Sequence, residues 1–204
     1  MDKFKKLIFM NKKISVFLAG ILIVSIVFGS VLPLFLNSTD KILINNYLEN
    51  FVSSIDEVSF VSLFFNGLIS NGGFLIILWL LGISIIGGFF VIFLFFLKGF
   101  IVGFSVCSII IKYGIKGILF SFVYLFPHQV INIFIYWIMT YYSLVFFIKF
   151  LLFLFKKYDF NVRGAFKKYF KIFCLTFLVL IISVLYESFV WPKLVSFVCK
   201  FLGL

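Results

Sequence analysis

Long apolar segments are the feature that most constrains how this chain can fold. Residues 14–36, 73–97, 129–149 and 172–191 are each about 20 residues or longer and mainly apolar. An α-helix of about 20 apolar residues crosses a hydrocarbon core about 30 Å thick. These segments therefore predict an all-α, polytopic transmembrane helical bundle.

The composition of the whole chain agrees with a membrane protein. Of the 204 residues, 64% are hydrophobic and 12% are charged, and the mean hydropathy is +1.27. Soluble domains are about half apolar and about a quarter charged. We expect residues 1–204 to form a single integral membrane domain whose first partner is the lipid bilayer.

The number of spans depends on residues 99–128. Small residues recur at Gly99 and Gly103, which places a flat stripe on one helix face. The apolar run from 99 to 111 rises only about 20 Å before Lys112 and Lys116. Two alternatives follow: about five spans, with these lysines reaching to the interface, or six segments with a broken or re-entrant helix near 117–128.

The distribution of basic residues predicts the orientation. With five spans, residues 1–13, Lys98 and residues 149–171 fall on one side and hold 13 of the 18 Lys and Arg residues. Basic residues concentrate in cytoplasmic loops, so the N-terminus is expected to be cytoplasmic. Membrane orientation then accounts for the net charge of +11. The charge is therefore no sign of nucleic-acid binding, and we expect no nucleic-acid partner.

Two interfacial segments are expected between the spans. Residues 37–72 are predicted to be an extracytoplasmic loop that contains an amphipathic helix. Its apolar face recurs with helical spacing at Ile44, Leu48, Phe51, Ile55 and Val58. This helix either lies in the interface or docks an extracytoplasmic partner. Residues 149–171 are predicted to be a basic cytoplasmic interfacial segment.

Glycines and prolines mark further positions of the bundle. Glycines in membrane helices permit close approach of neighbouring helices or a bend. Proline removes a backbone donor and disfavours helix before it, so Pro127 and Pro192 are predicted to break helices. The predicted packing glycines are Gly82, Gly87, Gly88, Gly99 and Gly103.

No catalytic constellation is visible in the sequence. The chain has one histidine and lacks the zinc-protease, nucleophile-elbow and phosphate-loop motifs. Its three cysteines match no metal or disulfide pattern. We therefore expect no enzymatic activity, no catalytic or metal-binding residues, and no cofactor.

Four polar residues lie within the apolar regions: Lys98, His128, Asn132 and Glu187. Ionisable groups at membrane depth are costly and usually have a partner. Glu187 is predicted to lie near the outer end of the last span, one turn before Trp191. A hydrogen bond to His128, or an ion pair with Lys112 or Lys116, is geometrically allowed. We favour a structural polar clamp over a proton or substrate path.

Three stretches resemble the stage II sporulation protein M family. They are LLGISIIGGFFVIFLFFLKGFIVGFSV (residues 80–106), SFVYLFPHQVINI (121–133) and the closing YESFVWP (186–192). The order and spacing match from the first span to Pro192. Asn132 stands where the wider family often carries a glutamate, and Gln129 stands in place of a glycine. A charge-based role for that site is therefore not carried over.

The resemblance implies a non-enzymatic membrane scaffold. Such a protein recruits and positions the peptidoglycan-degrading stage II sporulation proteins D and P, and it acts at the mother-cell septal and engulfing membrane. Homo-oligomer formation is left open. The alternative is a permease-like subunit of an ABC-2 type transporter, with a cytoplasmic ATPase docking on residues 149–171.

Overall fold

The computed structural model describes residues 12–54, 59–84, 86–125, 127–155 and 161–202, and the regular structure in these ranges is helical. A 3-10 turn (Leu32–Phe35) follows the first helix, and a π-helical turn (Leu68–Gly72) joins the third helix to the fourth. The helices are α1 (Lys12–Val31), α2 (Ser38–Ser54), α3 (Phe60–Gly67), α4 (Gly73–Ile83), α5 (Gly87–Leu125), α6 (His128–Leu154), α7 (Val162–Phe189) and α8 (Trp191–Leu202).

Five helical segments of the described chain are long and apolar enough to cross a membrane. This confirms the predicted all-α bundle with about five spans. The segments are Lys12–Phe35, Phe60–Ile83, Gly87–Leu125, His128–Leu154 and Val162–Leu202. The sequence therefore identified the class of fold and the approximate number of spans, although only four of its apolar runs were of membrane length.

The boundary between the second and third spans differs from the prediction. Residues 73–97 are not one helix, because the chain turns between α4 and α5. The Ser84 amide donates to the Leu81 carbonyl at 3.1 Å, and the Gly87 amide donates to the Ser84 carbonyl at 3.2 Å. A Cβ atom at Gly87 would collide with the Leu81 carbonyl, so this turn requires glycine.

The second span also begins earlier than predicted. It starts at Phe60, so residues 60–72 belong to a membrane-length helix and not to the loop. The π-helical turn lies inside this span and buries Asn71, whose polarity lowers the local hydropathy. Ile55 and Val58, the last two positions of the predicted amphipathic face, lie outside the described residues, as do residues 1–11 and 156–160 of the basic segments.

The third span folds back on itself at Gly114, which has φ +58° and ψ −132°. Ser121 Oγ lies 3.5 Å from the carbonyl oxygen of Val106. In a straight helix these residues would be about 22 Å apart. Residues 115–125, here called the returning arm, therefore run back beside the end of the preceding helix. The third helical segment therefore contains a hairpin whose tip is Gly114, a few residues before the break that was predicted near 117–128, and the segment ends before the turn containing Pro127.

Two amphipathic helices cover the returning arm. Leu48 of α2, Phe120 of the arm and Trp191 of α8 belong to one buried cluster. α8 places Trp191, Val195 and Cys199 in this cluster at intervals of four residues. Pro192 was predicted to end the last span, but it occupies the first turn of α8, where proline is tolerated, and the helical chain continues to Leu202.

α1 packs closely beside α5 through the small residues of both helices. A Cβ atom at Gly99 would collide with Ser25 Oγ, and one at Gly103 would collide with the carbonyl of Ile26. Gly29 on α1 similarly faces the Phe100 carbonyl. Because Ser25 lies beside Gly99 and Gly29 beside Phe100, the two helices run parallel.

The remaining predicted packing glycines lie at the other end of the bundle. A Cβ atom at Gly82 would meet the Tyr169 hydroxyl and Ser143, and one at Gly88 would meet the ring of Phe147. Exposed basic side chains follow at the start of α7, including Arg163 and Lys167. We call this the basic end, and we call the end that carries α2 and Gly114 the α2 end.

Candidate functional site

A polar cluster from four helical elements lies inside the bundle. Asn71 of the π-helical turn donates from Nδ2 to Glu187 Oε2 at 3.3 Å. The hydroxyl of Tyr136 on α6 donates to Asn71 Oδ1 at 2.9 Å. The cluster therefore joins the second, fourth and fifth spans through side-chain hydrogen bonds.

Lys98 of α5 completes this cluster. Its Nζ atom lies 4.9 Å from the ring centroid of Phe74 and 5.2 Å from that of Tyr136. Aromatic faces attract an ammonium group through their quadrupoles, and more strongly where water is excluded. Lys98 is also close enough to Glu187 for their opposite charges to attract. The third span is thereby tied to the other three.

The position of Lys98 within its helix differs from the prediction. The prediction placed this lysine at the cytoplasmic end of a span. It lies 11 residues into α5, or about 16 Å from the start of that helix. Its charge therefore belongs to the interior cluster and not to the count of basic residues at a membrane surface.

Glu187 also lies farther from the end of its helical segment than predicted, and its partners differ. Because helix continues to Leu202, about 22 Å of helix separates Glu187 from that end. Lys112 pairs with Glu49 of α2, with Nζ and Oε1 3.2 Å apart, and Lys116 donates to the carbonyl of Leu202. Both lysines serve the packing of the α2 end, and Asn71 takes the position expected of His128.

His128 and Asn132 lie on α6 towards the α2 end and are almost completely buried. The ring of His128 contacts that of Trp191 edge to face, with centroids 5.3 Å apart. Within the described part of the chain, His128 Nδ1 and both amide atoms of Asn132 have no hydrogen-bond partner. These two residues therefore add buried polar groups beside the cluster without joining it.

Together these residues form a buried polar stripe along α6. The stripe consists of His128, Asn132, Tyr136, Thr140 and Ser143, at intervals of four, four, four and three residues. This is the spacing of one helix face. Only His128 and Asn132 were predicted from the sequence, although the same spacing of three or four residues also connects them to the other three residues.

A second hydrogen-bonded group lies at the basic end of this stripe. Ser143 Oγ and the Tyr169 hydroxyl are 2.7 Å apart. Ser143 Oγ also lies 3.0 Å from the Leu78 carbonyl oxygen, and the Tyr169 hydroxyl lies 2.8 Å from the Trp79 carbonyl oxygen. Each hydroxyl has one proton, so two of these three contacts are hydrogen bonds at a time. The second, fourth and fifth spans are therefore connected by hydrogen bonds at two depths.

The chemistry of these groups is that of helix association. Polar side chains between membrane helices stabilise the bundle because lipid offers them no alternative partner. Among the described residues there is no group of three His, Cys, Asp or Glu side chains placed to hold a metal ion. The arrangement suits a structural clamp, but around Glu187 it has Asn71, Tyr136 and Lys98 in place of the predicted His128, Lys112 and Lys116.

The sequence that forms this arrangement is similar to a known protein family. A family model described as stage II sporulation protein M matches residues 14–192. No curated protein and no solved structure matches the chain. The matched range includes the second, third and fourth spans, most of the first and fifth, and the whole polar cluster, and it ends two residues into α8. The chain therefore belongs to the stage II sporulation protein M family.

Proposed function

We propose that this chain is a non-enzymatic membrane scaffold for engulfment during endospore formation. It recruits the peptidoglycan-degrading stage II sporulation proteins D and P and positions them at the septal membrane of the mother cell. Family membership is the observation that carries this proposal. It agrees with a multi-pass membrane protein whose interior polar groups connect helices.

The bundle offers a surface that suits recruitment. α2 lies at one end of the bundle, and Lys112 and the cluster around Trp191 hold it in place. Its other face exposes Ile42 and Asn46. We assign this end to the extracytoplasmic side because the basic residues concentrate at the other end. Proteins D and P would then meet α2 outside the cytoplasm.

Co-purification from sporulating cells tests this assignment. The tagged wild-type chain should recover proteins D and P. Ile42→Asp with Asn46→Arg should reduce that recovery several-fold, because both changes alter only the exposed face of α2. Arg163→Glu at the basic end is the matched control and should recover both proteins as the wild type does.

Deletion of the gene tests the cellular role. Cells without the chain should arrest at engulfment with an unthinned septal wall, and the wild-type gene should restore spore formation. A normal spore yield in the deletion strain would contradict the proposal. Recovery of a P-loop ATPase through residues 149–171 would support the permease-like alternative instead.

A further inference from the structure

An apolar cavity of about 290 Å³ lies between α2 and the two arms of α5. Its apolar lining includes Ile44, Leu48, Phe51, Phe104, Ile109 and Phe120. A second cavity of about 180 Å³ shares Ile44 and Ser108 with the first and is also lined by Lys41, Asn45 and Lys112. An apolar chamber thus adjoins a chamber with two cationic side chains.

Ser108 lies where the two cavities meet. The residue is 6% exposed, and its Oγ atom has no hydrogen-bond partner in the described part of the structure. A buried hydroxyl without a partner is unfavourable by about 1–3 kcal/mol. Other serines in these helices, such as Ser25 and Ser188, donate to a carbonyl of their own helix. The free hydroxyl of Ser108 therefore suits an occupant with an acceptor atom at this depth.

The second cavity carries an excess of positive charge. Lys112 Nζ pairs with Glu49 and donates to the Asn45 carbonyl, while Lys41 Nζ lies 3.4 Å from the Leu34 carbonyl. An ammonium group has three donors, so both lysines retain capacity for a further acceptor. Two ammonium groups beside one carboxylate favour an anionic group.

We propose that these cavities bind one anionic phospholipid. One acyl chain fills the apolar chamber, an ester oxygen accepts from Ser108, and the phosphate lies between Lys41 and Lys112. Ile101 and Ile111 are exposed apolar side chains on this part of α5. In a membrane-length helix such a face is expected to border lipid, so the surrounding bilayer would supply the ligand. The site needs no protein partner and is independent of the proposed scaffold role.

Photo-crosslinking tests the site with the full-length chain. The chain is reconstituted in nanodiscs of phosphatidylcholine with a minor fraction of phosphatidylglycerol carrying a diazirine in one acyl chain. After irradiation, mass spectrometry should place adducts on cavity residues such as Phe104 and Phe120. Replacing the probe with diazirine-bearing phosphatidylcholine should lower these adducts several-fold.

Two cavity-filling variants make the test specific. Ser108→Phe should lower the cavity adducts at least fivefold, and Ser105→Phe fills the same chamber from the preceding turn if the first variant does not fold. Ile101→Phe adds the same bulk to the lipid-facing side of α5 and should leave the adducts unchanged. Lys41→Gln with Lys112→Gln should remove the preference for phosphatidylglycerol.

Three outcomes would overturn the proposal. The first is an even spread of adducts over lipid-facing residues such as Ile101, which indicates only surrounding lipid. The second is equal labelling of the wild type and both cavity-filling variants. The third is that a photoreactive group at position 108 captures a protein segment in cells and no lipid, which would make the cavity a protein-binding site.

Discussion

Asn71 and Glu187 are 116 residues apart in the sequence and are joined by a hydrogen bond of 3.3 Å inside the bundle. Asn71 also accepts from the Tyr136 hydroxyl, so one amide connects three spans. The polar cluster is thus assembled from residues on four separate segments once Lys98 is included. Substitution of these residues should therefore change the free energy of unfolding of the bundle.

Removing the carboxylate of Glu187 should destabilise the bundle. Glu187→Leu leaves Lys98 without its opposite charge and Asn71 without its acceptor, which should lower the free energy of unfolding by about 1–3 kcal/mol. Glu187→Gln keeps an acceptor for Asn71 and should cost less. Unfolding in bicelles, followed by tryptophan fluorescence, measures both changes.

A double variant separates the charge pair from the loss of packing. Lys98→Met together with Glu187→Leu removes both charges, so it should be more stable than the sum of the two single changes predicts. Strict additivity of the two single effects would show that the charges do not act on each other.

Substitution of the glycines between α1 and α5 should be costly at specific positions. Gly99→Leu would force apart two helices that meet at Ser25, and overpacking of this kind costs about 1–3 kcal/mol. Gly20→Leu on α1 is the matched control, because no atom lies within 4 Å of its added Cβ. Thermal unfolding in detergent should show a lower Tm for Gly99→Leu alone. Equal effects at both positions would contradict the close contact.

The turn at Gly114 should tolerate no side chain, although there is space for one. Gly114→Ala meets no atom within 4 Å, but its φ of +58° should cost about 1–3 kcal/mol in backbone strain. Gly73→Ala also enters open space, in a helical conformation with φ −57°. That change should stabilise the helix by up to about 1 kcal/mol. The free energy of unfolding should fall in Gly114→Ala and rise in Gly73→Ala. A rise in both variants would contradict the positive φ at Gly114.

Accessibility to a thiol reagent should locate the tip of the α5 hairpin. In a chain whose Cys107, Cys174 and Cys199 are replaced by serine, Ile115→Cys should react with an impermeant maleimide added to intact cells. Ile115 is 88% exposed beside the Gly114 turn. Ser121→Cys, in the buried face of the returning arm, should not react.

A control at the opposite end completes this experiment. Arg163→Cys should react only after the membrane is permeabilised, because the basic end is assigned to the cytoplasm. Labelling of Arg163→Cys but not Ile115→Cys in intact cells would reverse the assigned orientation of the whole bundle.

Structural features that depend on a single segment of the chain could be predicted from the sequence. Segment length and hydropathy predicted four membrane-length helices and, with the shorter run at 99–111, about five spans, because those properties decide whether a helix can cross lipid. The closely spaced Lys112 and Lys116 indicated a short or re-entrant helix, and Gly114 between them makes the turn. Gly99 and Gly103 indicated a flat helix face, and Ser25 and Ile26 lie against it.

Properties that depend on pairing between segments were not predictable. Asn71 lowers the apparent hydropathy of the second span, so the sequence assigned it to a loop, whereas Tyr136 and Glu187 satisfy its amide in the bundle. The partner of Glu187 was missed because no local pattern connects it with a residue 116 positions earlier. Trp191 and Pro192 resembled the end of a span. In the structure the amphipathic α8 follows them, packs against the returning arm and lengthens the fifth helical segment to Leu202.

The close contact between α1 and α5 has a consequence for biosynthesis. Gly99 follows Ser25 by 74 residues, so at ordinary translation rates α1 waits in the membrane for about 4–15 s before its partner emerges. During that interval its Ser25 and Gly29 face must be solvated by lipid. Ser25 donates to a carbonyl of its own helix, and the face carries no charged group. The nascent helix can therefore persist alone in the bilayer until α5 arrives.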